Sequence, residues 1–112
     1  MNAIKNKVQL IGHLGQNPDI TSDEAGKRKA ELSLATNENY RNAKGEKITE
    51  TQWHKVIAWG KLAEIAEKYL SKGTEIAIEG KLVNNHYTDK EGIKRYVTEV
   101  HASELLILTK KQ

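Results

Sequence analysis

Strict alternation dominates this chain. In residues 8–14, Val8, Leu10, Gly12 and Leu14 fall on one side of an extended backbone, while Lys7, Gln9, Ile11 and His13 fall on the other. The period of two returns in residues 29–35 through Ala30, Leu32 and Leu34, and again in residues 52–59. It resumes in residues 74–87 through Ile76, Ile78 and Leu82, and in residues 93–101, with an apolar finish at 105–108. Each segment predicts a strand with one face on a core. One segment breaks the period. Leu62, Ala63, Ile65, Ala66, Tyr69 and Leu70 make a helical stripe over residues 61–70, with Gly73 just beyond it in the place of a helix cap.

The connections carry turn chemistry. Gly15-Gln16-Asn17-Pro18 ends the first strand, residues 21–26 read as a polar loop, and residues 88–92 as a turn. Residues 36–50 are long and polar and contain Gly45, so they are expected to form a loop or a flexible hairpin. A length of 112 residues without repeats or a linker predicts one domain over residues 1–112. The order strand, strand, strand, helix, strand, strand predicts an all-β class. It is the order of an OB-fold, a five-stranded Greek-key barrel with one helix between strands 3 and 4, whose binding face lies largely on strands 2 and 3.

The chain has two Trp, four Tyr and no Phe, and both tryptophans lie in T-Q-W-H-K-V-I-A-W-G-K, residues 51–61. Period two sets Trp53, Lys55, Ile57 and Trp59 on one face, and His54, Val56 and Ala58 on the other. If the Trp face were the interior, Lys55 would be buried without a partner, which is costly. If it faces solvent, two rings flank a cation, as in single-strand binders that stack bases on aromatics and follow phosphates with lysines. The alternative is that the rings pack under a loop or a subunit while Lys55 snorkels out. Tyr40-Arg41 in the polar segment and Tyr87 beside the 88–92 turn add two dispersed rings with basic neighbours.

Other chemistries find little support. There are no cysteines, which removes disulfides, thiolate metal sites and cysteine nucleophiles. His13, His54, His86 and His101 lack metal-ligand spacing, so no metal or cofactor is expected. Gly60-Lys61 imitates the end of a phosphate loop, but Lys55 stands where its first glycine belongs. No serine has a nucleophile-elbow context, and an enzyme is not expected. No apolar run reaches signal or membrane-span length, so a cytoplasmic, nucleoid-associated protein without a membrane partner is expected. The net charge of +3, from 18 basic and 15 acidic residues, permits a polyanionic partner without demanding one.

The chain resembles the bacterial single-stranded DNA-binding protein family over nearly its whole length. N-K-V-Q-L-I-G-H-L-G-Q-N-P-D, L-S-L-A-T-N-E-N-Y-R, I-E-G-K-L and Y-T-D-K-E-G-I-K-R-Y-V-T-E-V carry the resemblance, and the run from W-H-K-V to Y-L-S-K-G is its most specific part. The resemblance implies sequence-independent binding and protection of single-stranded DNA in replication, recombination and repair. It implies base stacking on Tyr40, Trp53, Trp59 and Tyr87, with Tyr in place of the family's frequent Trp at the first and last positions, and Trp in place of Phe at residue 59. It further implies phosphate contacts by Lys5, Lys7, Arg41, Lys55, Lys61 and Lys72. A homotetramer whose first strands pair across a two-fold is implied too, with His54 near a subunit interface. A primosome-type OB accessory protein, usually dimeric, and a protein-interaction OB module without DNA affinity are the alternatives. Family members usually continue into a flexible linker and an acidic tip that recruits replication and repair enzymes. The sequence here ends Leu108-Thr109-Lys110-Lys111-Gln112, so recruitment through such a tip is not expected.

Overall fold

The alternating segments become six strands in a computed structural model that describes residues 3–108. After a short helical turn at Ala3–Lys5 come β1 (Val8–Leu14), β2 (Asp19–Ser22), β3 (Arg28–Arg41) and β4 (Lys47–Trp59). Then follow α1 (Lys61–Tyr69), β5 (Glu75–Thr88) and β6 (Lys94–Ile107). The sheet order is β1-β5-β6-β4-β3-β2, and an added β1–β3 pairing closes β1, β3, β4, β5 and β6 into a five-stranded barrel. β2 is a short addition on β3, within a stretch whose polar end, residues 21–26, reads in sequence as loop. The helix lies between the third and fourth barrel strands, as the element order predicts.

Closure depends on β1 serving two partners. It runs antiparallel to β5 from Val8 to His13 and meets β3 through His13 and Leu14. Gly12 sits at the changeover. A Cβ there would run into the backbone carbonyl of Ala35, so only glycine admits the approach of β3. Gly80 plays the same part against the His101 backbone, where the β5–β6 register shifts at a bulge.

The interior is aliphatic. Leu14, Leu32, Leu34, Val56, Ile76 and Ile78 are buried, and Ala63, Ala66 and Leu70 bring α1 onto them. The helical stripe is narrower than its sequence spacing implies, because Tyr69 is exposed. Gly73 is also not the helix cap. Leu70 ends the helix in an extended conformation, and Gly73 (φ 91) is the third residue of the turn at 71–74. An Arg28–Glu67 ion pair ties the start of β3 to α1.

Residues 36–50 are not a loop. β3 and β4 continue in unbroken register from Lys29 opposite Trp59 to Arg41 opposite Lys47, so the polar run is a rigid two-stranded ribbon outside the barrel. Only residues 42–46 turn. Asn42 Oδ1 accepts the N–H groups of Lys44 and Glu46 at 2.9 and 3.0 Å, and Gly45 takes φ 80. The same device closes β2–β3 through Asp23 and Gly26, and β5–β6 through Asp89 and Gly92. Each is an Asx-capped turn ending in a left-handed glycine.

The bend at β1 gives a direct test. Gly12→Ala should destabilise the protein by about 1–3 kcal/mol through forced separation of β1 from β3. Urea unfolding at fixed protein concentration checks this, and an unchanged midpoint would show that closure tolerates the methyl group.

Candidate nucleic-acid interface

Register decides which side chains share a surface, because directly opposed residues project to the same face. On β3 and β4 the outer set is Lys29/Trp59, Glu31/Ile57, Ser33/Lys55, Ala35/Trp53, Asn37/Thr51, Asn39/Thr49 and Arg41/Lys47. The parallel β4–β6 pairing, Ile57 beside His101, carries this face onto β6. The β5–β6 register then extends it through Lys81/His101, Val83/Glu99, Asn85/Val97 and Tyr87/Arg95. Trp53, Lys55, Trp59 and Tyr87 therefore share one continuous outer sheet face.

Trp53 is 61% exposed, and one side of its ring lies against Gly15, where any Cβ would overlap it. The ring is thus packed at one edge while most of it remains open to solvent. Trp59 is half-buried, with the amines of Lys27 and Lys29 at 5.2 and 5.5 Å from its ring centre. Asn37–Thr51 and Asn39–Thr49 hydrogen bonds, both 2.7 Å, extend the face along the ribbon as a polar ladder.

The face is not uniformly open. Ile57 is fully buried on it, with Glu31 and His101 as its cross-strand neighbours and Lys55 and Trp59 flanking it along β4. Lys55 has the partners that the sequence did not reveal. Its ammonium lies 3.2 Å from Glu99 and 3.6 Å from Glu31. Glu99 is only 6% exposed and also accepts from Asn85 Nδ2 at 2.7 Å and His101 Nε2 at 3.1 Å. Burial pushes the Glu99 carboxyl up, but the bonds from His101 and Lys55 outweigh it and hold the group below its ordinary value. Burial pulls Lys55 down, and the two carboxylates more than offset it, so Lys55 stays firmly charged.

Tyr40 takes the opposite side of the β3–β4 ribbon. It lies across from Ile48 and beside the directly opposed carboxylates Glu38 and Glu50. Its hydroxyl donates to Glu50 at 3.0 Å, which raises the phenol above its ordinary value. Arg41 stays on the Trp side and closes its own turn by donating to the Gly45 carbonyl at 2.9 Å. Lys7 pairs with Glu79 at 2.6 Å, and this hydrogen bond raises its pKa. Lys5 lies in the N-terminal turn, Lys61 opens α1, and Lys72 lies in the turn before β5, all exposed and off the sheet face. His54 is half-buried on the core side and shares a 2.9 Å hydrogen bond with Thr36. The basic C-terminal end, residues 109–112, lies outside the described residues.

Sequence reading did not single out Lys27 and Lys29 for their contact with Trp59, nor Glu31, Glu99 and His101 for theirs with Lys55. The i, i+2 spacing of Lys27 and Lys29 before a strand was the available signal for the first pair. Among the described residues no group of three or more His, Asp or Glu could hold a metal ion, and no helix is long and apolar enough to cross a membrane.

Comparison with known proteins agrees with this geometry. The single-strand binding protein family matches residues 5–108. The chain is 45% identical over 108 residues to single-stranded DNA-binding protein 1 of Xylella fastidiosa, covering 96% of this chain and 79% of that one. It is 40% identical to single-stranded DNA-binding protein 1 of Chlorobaculum tepidum, covering 95% of this chain and 66% of the relative. Among solved structures, the Plasmodium falciparum SSB complex with ssDNA superposes with a TM-score of 0.84 at 31% identity, covering 93% of this chain and 95% of that one. A Thermus aquaticus single-stranded DNA-binding protein variant gives 0.80 at 30% identity, covering 93% of this chain and 50% of that one. With the OB-fold barrel and its aromatic outer face, these matches show that the chain belongs to the single-strand binding protein family.

Proposed function

We propose that this protein binds single-stranded DNA without sequence preference and without a catalytic step, protecting it during replication, recombination and repair. The observation that carries the reading is the shared outer face of Trp53, Trp59 and Tyr87, with Trp53 packed against Gly15 and largely exposed. Every base has a flat π-face, so stacking on fixed rings is tolerant of sequence. Tyr40 would serve as a fourth ring where the strand passes round the β3–β4 ribbon. Phosphates would run over cations at the rim, with Lys27, Lys29 and Lys81 beside Trp59 and His101 as the nearest on the sheet. Lys5, Lys7, Arg41, Lys61 and Lys72 would extend that path. Lys55 we assign to holding the buried Glu99, because it lies between two carboxylates, where Lys7 pairs with one that is less buried than Glu99.

The assembly is proposed to be a homotetramer. Two features support it. Among the described residues β1 pairs on the edge away from β5 only through His13 and Leu14, so residues 8–11 offer an edge for antiparallel pairing with a second copy. Ile11, Ala77 and Leu106 also align across β1, β5 and β6 on the outer face, and Ile11 and Leu106 are 54% and 62% exposed. Nothing in this reading calls for a cofactor.

Titration with oligo-dT should quench Trp fluorescence, and Trp53→Ala should weaken binding by about 1–3 kcal/mol. Wild-type affinity in that variant would make Trp53 structural. Salt titrations separate the lysines. Lys29→Gln should reduce the slope of log affinity on log salt by about 0.7, the single-strand value per phosphate contact. Lys55→Gln should leave that slope nearly unchanged, and an equal loss in both variants would return Lys55 to the phosphate path. Light scattering should give the mass of four chains, and Ile11→Glu should lower it. A wild-type mass of two chains would favour the dimeric accessory reading.

A further inference from the structure

The β5–β6 ribbon has a second face. β1 leaves β5 at Gly80, and β4 pairs with β6 at Val100 and His101, so among the described residues the segments 81–88 and 94–99 form a two-stranded ribbon with no further strand paired on either edge. Tyr87 and Arg95 project to the Trp side. Directly behind them, His86 opposes Tyr96 and Thr88 opposes Lys94. Tyr96 is 73% exposed. The His86 ring meets it edge-on, with centres 6.1 Å apart and planes at 62°. The Lys94 amine lies 5.9 Å from the ring centre. A fixed aromatic ring and a cation, open to solvent, thus lie one residue behind a proposed stacking ring.

Charge selects the occupant. The rear positions of this ribbon run from Leu82 to Thr88 and from Lys94 to Thr98 in alternation, with no carboxylate among them. The rear of the β3–β4 ribbon instead opposes Glu38 to Glu50. In the turn, Asp89 is occupied by Arg95 at 2.9 Å and by the N–H groups of Glu91 and Ile93, and the exposed Glu91 side chain follows Lys90. A polyanion leaving Tyr87 therefore meets no unpartnered carboxylate on the rear of this ribbon.

We infer that Tyr96, with His86 and Lys94, forms a further single-strand site, on which a strand leaving Tyr87 wraps round the β5–β6 ribbon and stacks a base on its rear. The inference rests on the proposed single-strand binding. It implies that the ribbon is gripped from both sides and that the protein occludes more nucleotides than the Trp face alone accounts for.

The test uses the full chain and two probes: an oligo-dT of about 16 nucleotides, the upper end of one barrel's footprint, and a polymer several-fold longer. Tyr96→Ala should weaken binding of the long probe by about fivefold or more, the lower bound for loss of one stacked base. The short probe should be affected less, and Tyr96→Phe should restore wild-type affinity. Halogenated-uracil versions of the long probe should photocrosslink to Tyr96 as well as to Trp53 and Tyr87, read by peptide mass. Tyr96 is exposed, so the variants should melt like the wild type. Crosslinks at Trp53 and Tyr87 without one at Tyr96, with unchanged affinity in Tyr96→Ala, would overturn the inference alone. A changed oligomer mass in Tyr96→Ala with unchanged affinity would also overturn it, as evidence that this face contacts protein. No binding of either probe by the wild type would remove the parent reading and this one with it.

Discussion

The bend of β1 at Gly12 is the constraint on which the outer face depends. One strand must satisfy β5 along most of its length and β3 at its end. A side chain at the changeover would hold β3 off at Ala35. Closure there brings the far ends of the sheet round, so that β4 and β6 meet as a parallel pair. That meeting sets Glu99 and His101 beside Lys55 and over Ile57. The three rings and the ion cluster between them are therefore products of barrel closure, not of any one strand.

This explains what could be read from the sequence and what could not. Alternation was legible wherever one face is dry, as in Leu32, Leu34, Val56, Ile76 and Ile78, because burial imposes the period. Residues 36–50 lost the period because both faces of their ribbon are wet, and a ribbon in water has no apolar set to display. The surviving signal there was chemical. The recurrence of Asx-x-x-Gly at Asp23, Asn42 and Asp89 marks three equivalent hairpin turns. Trp53 and Trp59 were legible as face-mates through spacing alone. The partners of Lys55 were not, because Glu99 arrives through a parallel pairing distant in sequence. The inference that an open face must surround an unpaired lysine was half right, since the face is open at Trp53 and closed at Ile57.

The ion cluster also bears on how a strand would lie. Lys55 sets one ammonium against the two carboxylates of Glu31 and Glu99 in the middle of the face. Lys27 and Lys29 place two further cations beside Trp59. A single strand has a charged side and an uncharged side. Under the proposed binding, carboxylates at the centre with cations at the flanks would turn the phosphates outward and the bases inward, with base faces toward the rings. Orientation on this surface would then come from repulsion at Glu31 and Glu99 as much as from attraction at the lysines. A surface of lysines alone would hold a strand more tightly in low salt, but it would not choose which side of the strand faces the protein. The buried carboxylate of Glu99 would supply that choice, and its three donors favour its charged form.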